Sequence, residues 1–215
     1  MKKLIIIAAA LTMLGNVMAQ KPNFESAIKE TLALYDSAKT QVDMQNVVSR
    51  FERISVAEGN RWESFYYLAF TQINSSFWEK DGDKKDAILD QAQKSIDKAL
   101  ELGGDKSELF ALQGFLYQGR IQVSPMRGMS YSQKAAEVLE KAVSENPNNP
   151  RAGFLLAQNI YFTPKMFGGG SKNALPKFLA AKENFEKENG KDGIDPKWGA
   201  KSNQRMIERC SAENQ

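Results

Sequence analysis

The stretch Ala135-Ala-Glu-Val-Leu139-Glu-Lys-Ala142 decides the architecture of this 215-residue chain. It reads alanine, three residues, a bulky apolar residue, two residues, alanine. The same pattern precedes it as Ala92-x3-Ile96-x2-Ala99 and follows it as Ala174-x3-Phe178-x2-Ala181. Positions i, i+4 and i+7 share one stripe of an α-helix. Two small side chains around a large one let a second helix approach closely. The pattern returns after 43 and then 39 residues, which marks a stacked array of helical pairs.

Working outward, the chain from Asn23 onward reads as helix, turn, helix. Helices are expected near 24–40, 43–57, 61–78, 84–102, 106–122, 130–146, 150–163, 173–188 and 197–209. Asn60-x-x-Glu63, Asp105-x-x-Glu108 and Ser130-x-x-Gln133 each place a side-chain acceptor ahead of a Glu or Gln, as a capping box does. Gly59, Gly103-Gly104, Ser124-Pro125, Pro147, Pro164 and Gly190 are expected stops. Pro176 is tolerable within the first turn of its helix if Asn173 caps that helix. No window shows the alternation of a strand. Pairs are expected near 24–57, 61–102, 106–146 and 150–188, with 197–209 as a cap. Val47-x3-Phe51-x2-Ile54 is a degenerate stripe in the first pair, as suits a terminal repeat. First helices carry a small residue at a similar place: Ala33, Ala69, Gly114 and Ala157. Gly114 costs about 1 kcal/mol of helix propensity relative to alanine, which a close crossing would justify.

The first nineteen residues have the form of a signal peptide. Lys2 and Lys3 precede an apolar core from Leu4 to Leu14, and Val17-Met18-Ala19 supplies small residues for cleavage after Ala19. That core is about 11 residues, too short for a span of ~20. The mature chain is expected to be soluble, in the periplasm or secreted. Without Lys2 and Lys3 the balance is 27 basic against 26 acidic residues, which argues against a nucleic-acid partner.

The chain has no histidine and one cysteine, Cys210. The commonest general base and zinc ligand is therefore missing, and no catalytic residue, metal site or cofactor is expected. A carboxylate-based hydrolase stays conceivable, but no Asp/Glu pair stands out from helix-surface charge. Gly168-Gly169-Gly170 follows a helix and lacks the Gly-Lys-Ser/Thr ending of a phosphate loop. It is expected to be a turn that lets Met166 and Phe167 tuck inward. Asp81-Gly82-Asp83 reads as a turn with Asp83 capping the next helix.

These residues resemble the tetratricopeptide repeat family. The family's bulky-then-small pair on the first helix has counterparts in Phe65/Ala69, Phe110/Gly114 and Gly153/Ala157. Its second-helix pattern is matched by Ala135, Leu139, Ala142 and the exit Pro147. Glu145-Asn-Pro-Asn-Asn-Pro150 running into Arg151-Ala-Gly-Phe-Leu-Leu-Ala157 is the most family-like segment. The turn inside each clear pair is longer than in typical repeats, at Trp78–Lys85, Gln122–Ser130 and Pro164–Ser171. In Thr163-Pro-Lys-Met-Phe-Gly-Gly-Gly170 followed by Ala174, and in Asp195-Pro-Lys-Trp-Gly199, the chain also looks like exported bacterial proteins of this type, and is similar to helical-repeat proteins associated with periplasmic transporters. The resemblance implies an all-α, right-handed superhelix. Its concave groove would be lined by Glu63, Tyr66, Phe70, Asn74, Phe115, Gln118, Arg151, Phe154, Gln158 and Tyr161. The implied role is a non-catalytic scaffold or adaptor that binds a protein or peptide in that groove. The alternative is a binding component for a small apolar ligand, enclosed by groove aromatics and the Met166–Gly170 loop. Whether the groove is open or closed by the long turns is left undecided.

Overall fold

The computed structural model describes residues 23–188 and 193–215. The signal peptide expected over 1–19 lies outside the described residues. The described elements are α1 (Phe24–Ser37), α2 (Gln41–Ala57), α3 (Trp62–Ser76), α4 (Gly82–Glu101), α5 (Lys106–Ile121), α6 (Gly128–Glu145), α7 (Pro150–Phe162), α8 (Ser171–Glu188) and α9 (Ala200–Glu213). Short 3₁₀ turns, Pro125–Arg127 and Lys165–Phe167, precede α6 and α8. No strand occurs among the described residues. Helices pair in order, α1 with α2 through α7 with α8. Each second helix also packs on the next pair's first helix, the first helices α3, α5 and α7 stack on one another, and α9 covers α8. This is an all-α solenoid of tetratricopeptide-like pairs.

The alanine stripe is the seam of this stack. Ala92, Ile96, Ala99, Ala135, Leu139, Ala142, Ala174, Phe178 and Ala181 are all buried. The first pair uses Val47 and Phe51 instead, both buried, with Ile54 partly covered. Gly114 explains itself here. A Cβ at that position would stand 2.5 Å from Leu139 Cγ, so the knob of α6 rests on the bare backbone of α5. The propensity lost at Gly114 is offset by that contact.

Several expected helix starts move, while one cap holds. Asp105 caps α5, accepting from the Glu108 N–H at 2.9 Å. Asn60 does not cap α3: the chain turns through a bond from Arg61 N–H to the Glu58 carbonyl, and the helix begins one residue later. Ser130 lies inside α6, because the Pro125–Arg127 turn runs straight into a helix starting at Gly128. Asp81 rather than Asp83 caps α4, accepting from Lys84 N–H at 3.0 Å. The helix at Pro176 starts at Ser171, two residues earlier than expected, so proline falls inside it. Asn173 lies within the first turn, its side-chain amide donating to the Gly168 carbonyl at 2.9 Å.

Candidate functional site: a filled groove and an apolar edge

The expected groove residues come together on the stacked first helices α3, α5 and α7, but the centre of that surface is already occupied. Residues 193–199, the connection into α9, cross it. Trp198 stacks on Phe70 with ring centres 5.1 Å apart, and on Phe115 at 5.7 Å. Its indole N–H donates to Tyr66 Oη at 2.8 Å, and the Tyr67 hydroxyl donates to the Ile194 carbonyl at 2.6 Å. Tyr66 is 0% exposed, and burial raises its phenol pKa well above the ordinary value. Cavities of about 270 and 390 Å³ flank the crossing strand of chain. The occupant of the groove is thus the chain's own C-terminal connection rather than the long intra-pair turns.

Other members of the set are tied into the scaffold. Asn74 donates back to the Phe70 carbonyl at 2.8 Å, and Gln118 Nε2 donates across to the Leu155 carbonyl at 2.9 Å. Glu63 pairs with Arg61 at 3.4 Å. Phe154 packs near Phe178, ring centres 6.1 Å apart. Gln158 is half-buried on α7. The Tyr161 hydroxyl donates to Glu213 on α9, beneath the Arg209 guanidinium.

Arg151 is 2% exposed and joins three helices. Its Nε and Nη2 donate to Glu108 on α5 at 2.8 and 2.7 Å, and its Nη1 and Nη2 donate to Glu188 on α8 at 2.9 and 2.8 Å. Burial raises the Glu108 carboxyl above its usual range, and the guanidinium works against that shift. For Arg151 burial acts to lower the pKa, but the bonds to Glu108 and Glu188 outweigh it and keep the group charged. Both carboxylates are committed to the guanidinium, so neither is poised as a general acid or base. Sequence reasoning quotes Asp195-Pro-Lys-Trp-Gly199 only for its resemblance to exported proteins, gives Trp198 no role, and does not single out Glu188. The only cue is an isolated tryptophan in Asp195-Pro-Lys-Trp-Gly199, a stretch without helical periodicity.

The long turns form a different surface. Each joins the first helix of a pair to the second, so stacking brings them to one edge of the array. Asn159 Nδ2 donates to the Ser132 carbonyl at 3.0 Å and ties α7 to the start of α6. Gly82 sits against Val123, and both Arg120 and Arg127 pair with Asp86 at 2.6 and 2.7 Å. Along this edge stand Trp78, Met126, Met129, Phe162, Met166 and Phe167, all exposed. Met126 is 93%, Met166 82% and Phe167 63% exposed. The expectation that Met166 and Phe167 tuck inward is therefore wrong, and the glycine backbone is the reason. The Gly170 N–H bonds the Ile160 carbonyl at 3.1 Å and the Gly169 N–H bonds the Pro164 carbonyl at 3.3 Å, so main chain fills the inner space. A Cβ on Gly169 would lie 1.8 Å from the Thr163 carbonyl oxygen. Gly168 and Gly170 adopt φ of +82° and +95°, the left-handed conformation glycine accommodates.

The turns after α5 and α7 are short of negative charge along the sequence, whereas the Trp78–Lys85 turn carries Glu79, Asp81 and Asp83, and Glu213 of α9 reaches Tyr161 beside the last turn. No Asp or Glu occurs from Leu109 to Ala136 or from Arg151 to Lys182. Arg127, Lys134, Lys165 and Lys172 lie in these stretches, and α6 and α8 begin without an acidic first turn. Several large apolar side chains exposed along one edge are the kind of feature that marks interaction surfaces. No cluster of three His, Cys, Asp or Glu side chains suited to a metal ion occurs among the described residues, and no described helix is long and apolar enough to cross a membrane.

No family model matches the sequence, and no curated protein matches it. Solved structures do. A MamA double mutant (RS-1) is 16% identical with a TM-score of 0.47, over 80% of this chain and 81% of that one. A thermophilic tetratricopeptide repeat protein of Thermus thermophilus is also 16% identical, with a TM-score of 0.45 over 88% of this chain and 97% of that one. The HusA haemophore of Porphyromonas gingivalis is 30% identical with a TM-score of 0.82, covering 92% of this chain and 98% of its own. With that identity over nearly the full length of both chains, this protein belongs to the family of HusA.

Proposed function

We propose that this protein is a non-catalytic, exported carrier that binds a haem-class ligand, a flat apolar macrocycle with carboxylates, on the edge formed by Met126, Met129, Phe162, Met166 and Phe167. Kinship with a haemophore supports the ligand class. The observation that carries the location is the exposure of these five side chains at the turns of two stacked pairs, which the Asn159–Ser132 bond ties together. Methionine is flexible and polarisable, which suits it to a flat aromatic face, and phenylalanine stacks on one. With no histidine in the chain, the commonest axial iron ligand is missing; the edge grips through contact with the macrocycle faces, and among its residues only the methionine thioethers could meet the iron. A partner in the concave groove would first have to displace Trp198, whereas the edge is already open. The leader form of residues 1–19 supports a periplasmic or secreted location.

Titration of the mature chain with haemin, followed by the Soret band and by tryptophan quenching, tests this. Wild type is expected to bind saturably. A flat ligand covers one side of each residue, about half of the ~1.5–3 kcal/mol that full burial of a Met or Phe side chain is worth, so Met166→Ser with Phe167→Ser should together weaken binding by roughly ten- to a hundredfold. Far-UV circular dichroism should not change, because both side chains are exposed. Absence of saturable binding by wild type, or full affinity in the double variant, contradicts the proposal.

A further inference from the structure

We infer that Lys165 and Lys172 hold the carboxylates of the bound ligand, so that the edge selects an amphipathic dianion over a neutral macrocycle of the same shape. This rests on the reading of the edge as the site of a haem-class ligand. The two lysines bracket the glycine turn that displays Met166 and Phe167, and both are exposed. The Lys165 stem lies along Gly170, where a Cβ would meet its Cγ at 3.0 Å, so the chain of methylenes follows the loop that carries the apolar pair. Two cations of the neighbouring turn are engaged: Arg127 with Asp86 at 2.7 Å, and Lys134 over the Tyr131 ring at 4.9 Å. Lys165 and Lys172 form no ion pair among the described residues, no acidic residue precedes them back to Arg151 or follows them as far as Lys182, and the carboxylate that α9 brings to this end, Glu213, is held by Tyr161 and Arg209. Charge and shape complement one kind of occupant: apolar across its faces, negative at one end. An ammonium beside an apolar ligand is partly shielded from water, where its attraction for a carboxylate exceeds that of a fully exposed pair.

Haemin and its dimethyl ester differ only in those carboxylates. Wild type is expected to bind the diacid about tenfold more tightly than the ester at low salt, a preference that shrinks as salt is raised. Lys165→Gln with Lys172→Gln should bind both forms at the ester's level. Lys94→Gln with Lys141→Gln, which removes the same charge from exposed positions on α4 and α6 outside these turns, should keep the preference. Equal binding of diacid and ester by wild type, a preference that survives K165Q/K172Q, or the same loss in K94Q/K141Q overturns the inference while leaving haem-class binding intact. Failure of wild type to bind either form overturns the functional reading itself.

Discussion

Arg151→Met is expected to lower the unfolding free energy by about 3–5 kcal/mol in urea denaturation, because it leaves Glu108 buried without its counter-charge. That is a large part of the ~5–15 kcal/mol that holds a typical domain together. The geometry sets the size of the effect: four charge-assisted bonds at 2.7–2.9 Å run from one guanidinium to carboxylates on two other helices. The pH dependence has a definite sign. Burial already pushes Glu108 upward, and removing the guanidinium leaves only the Tyr66 hydroxyl, donating to Glu108 at 3.2 Å, to oppose it. A carboxyl whose pKa is raised in the folded state contributes stability that is present below its unfolded pKa and lost as pH rises through the folded value. The deficit of R151M relative to wild type should therefore be smaller near pH 4.5 than at pH 7.5. Adding Glu108→Gln should recover part of the loss, since the uncompensated charge is then gone. A deficit independent of pH would show that Glu108 is not the group left unpaired.

Trp198→Ala is the second large effect, expected to cost about 2–4 kcal/mol, below or within the usual ~3–5 for tryptophan in a core because this ring is only half-buried. It removes two stacking contacts and leaves the Tyr66 hydroxyl without its donor. Trp198→Phe should retain most of the stacking and lose chiefly the hydrogen bond, about 1 kcal/mol. Haemin affinity should stay within about twofold of wild type in W198F, since Trp198 touches the groove and not the edge. Affinity that falls with the change at Trp198 and not with those at Met166 and Phe167 would move the ligand site into the groove.

The fold is legible because its determinant is periodic. Alanine at i and i+7 around a knob at i+4 has one structural meaning, and Gly114 opposite Leu139 is the same statement read from the facing helix. Local caps are less legible, since Asn60, Asp83 and Ser130 each have a competitor within a few residues that hydrogen bonding in the turn decides. The filling of the groove cannot be read from spacing at all. Trp198 and Tyr66 are 132 residues apart, and their contact depends on how four pairs stack. Arg151 carries the sequence signature of an exposed first-helix charge, and only its approach to Glu108 and Glu188 makes it a buried link. Sequence points Met166 and Phe167 inward because apolar residues beside glycines usually pack. Here the glycine main chain takes the interior, and the side chains are left at the surface.

The most direct test of the central claim is methionine-methyl NMR of the mature chain titrated with gallium protoporphyrin, a diamagnetic stand-in for haem. The methyls of Met126, Met129 and Met166 should shift saturably, while buried Met44 and the Trp198 indole N–H stay in place. A shifted Trp198 indole with unmoved edge methyls would contradict the account.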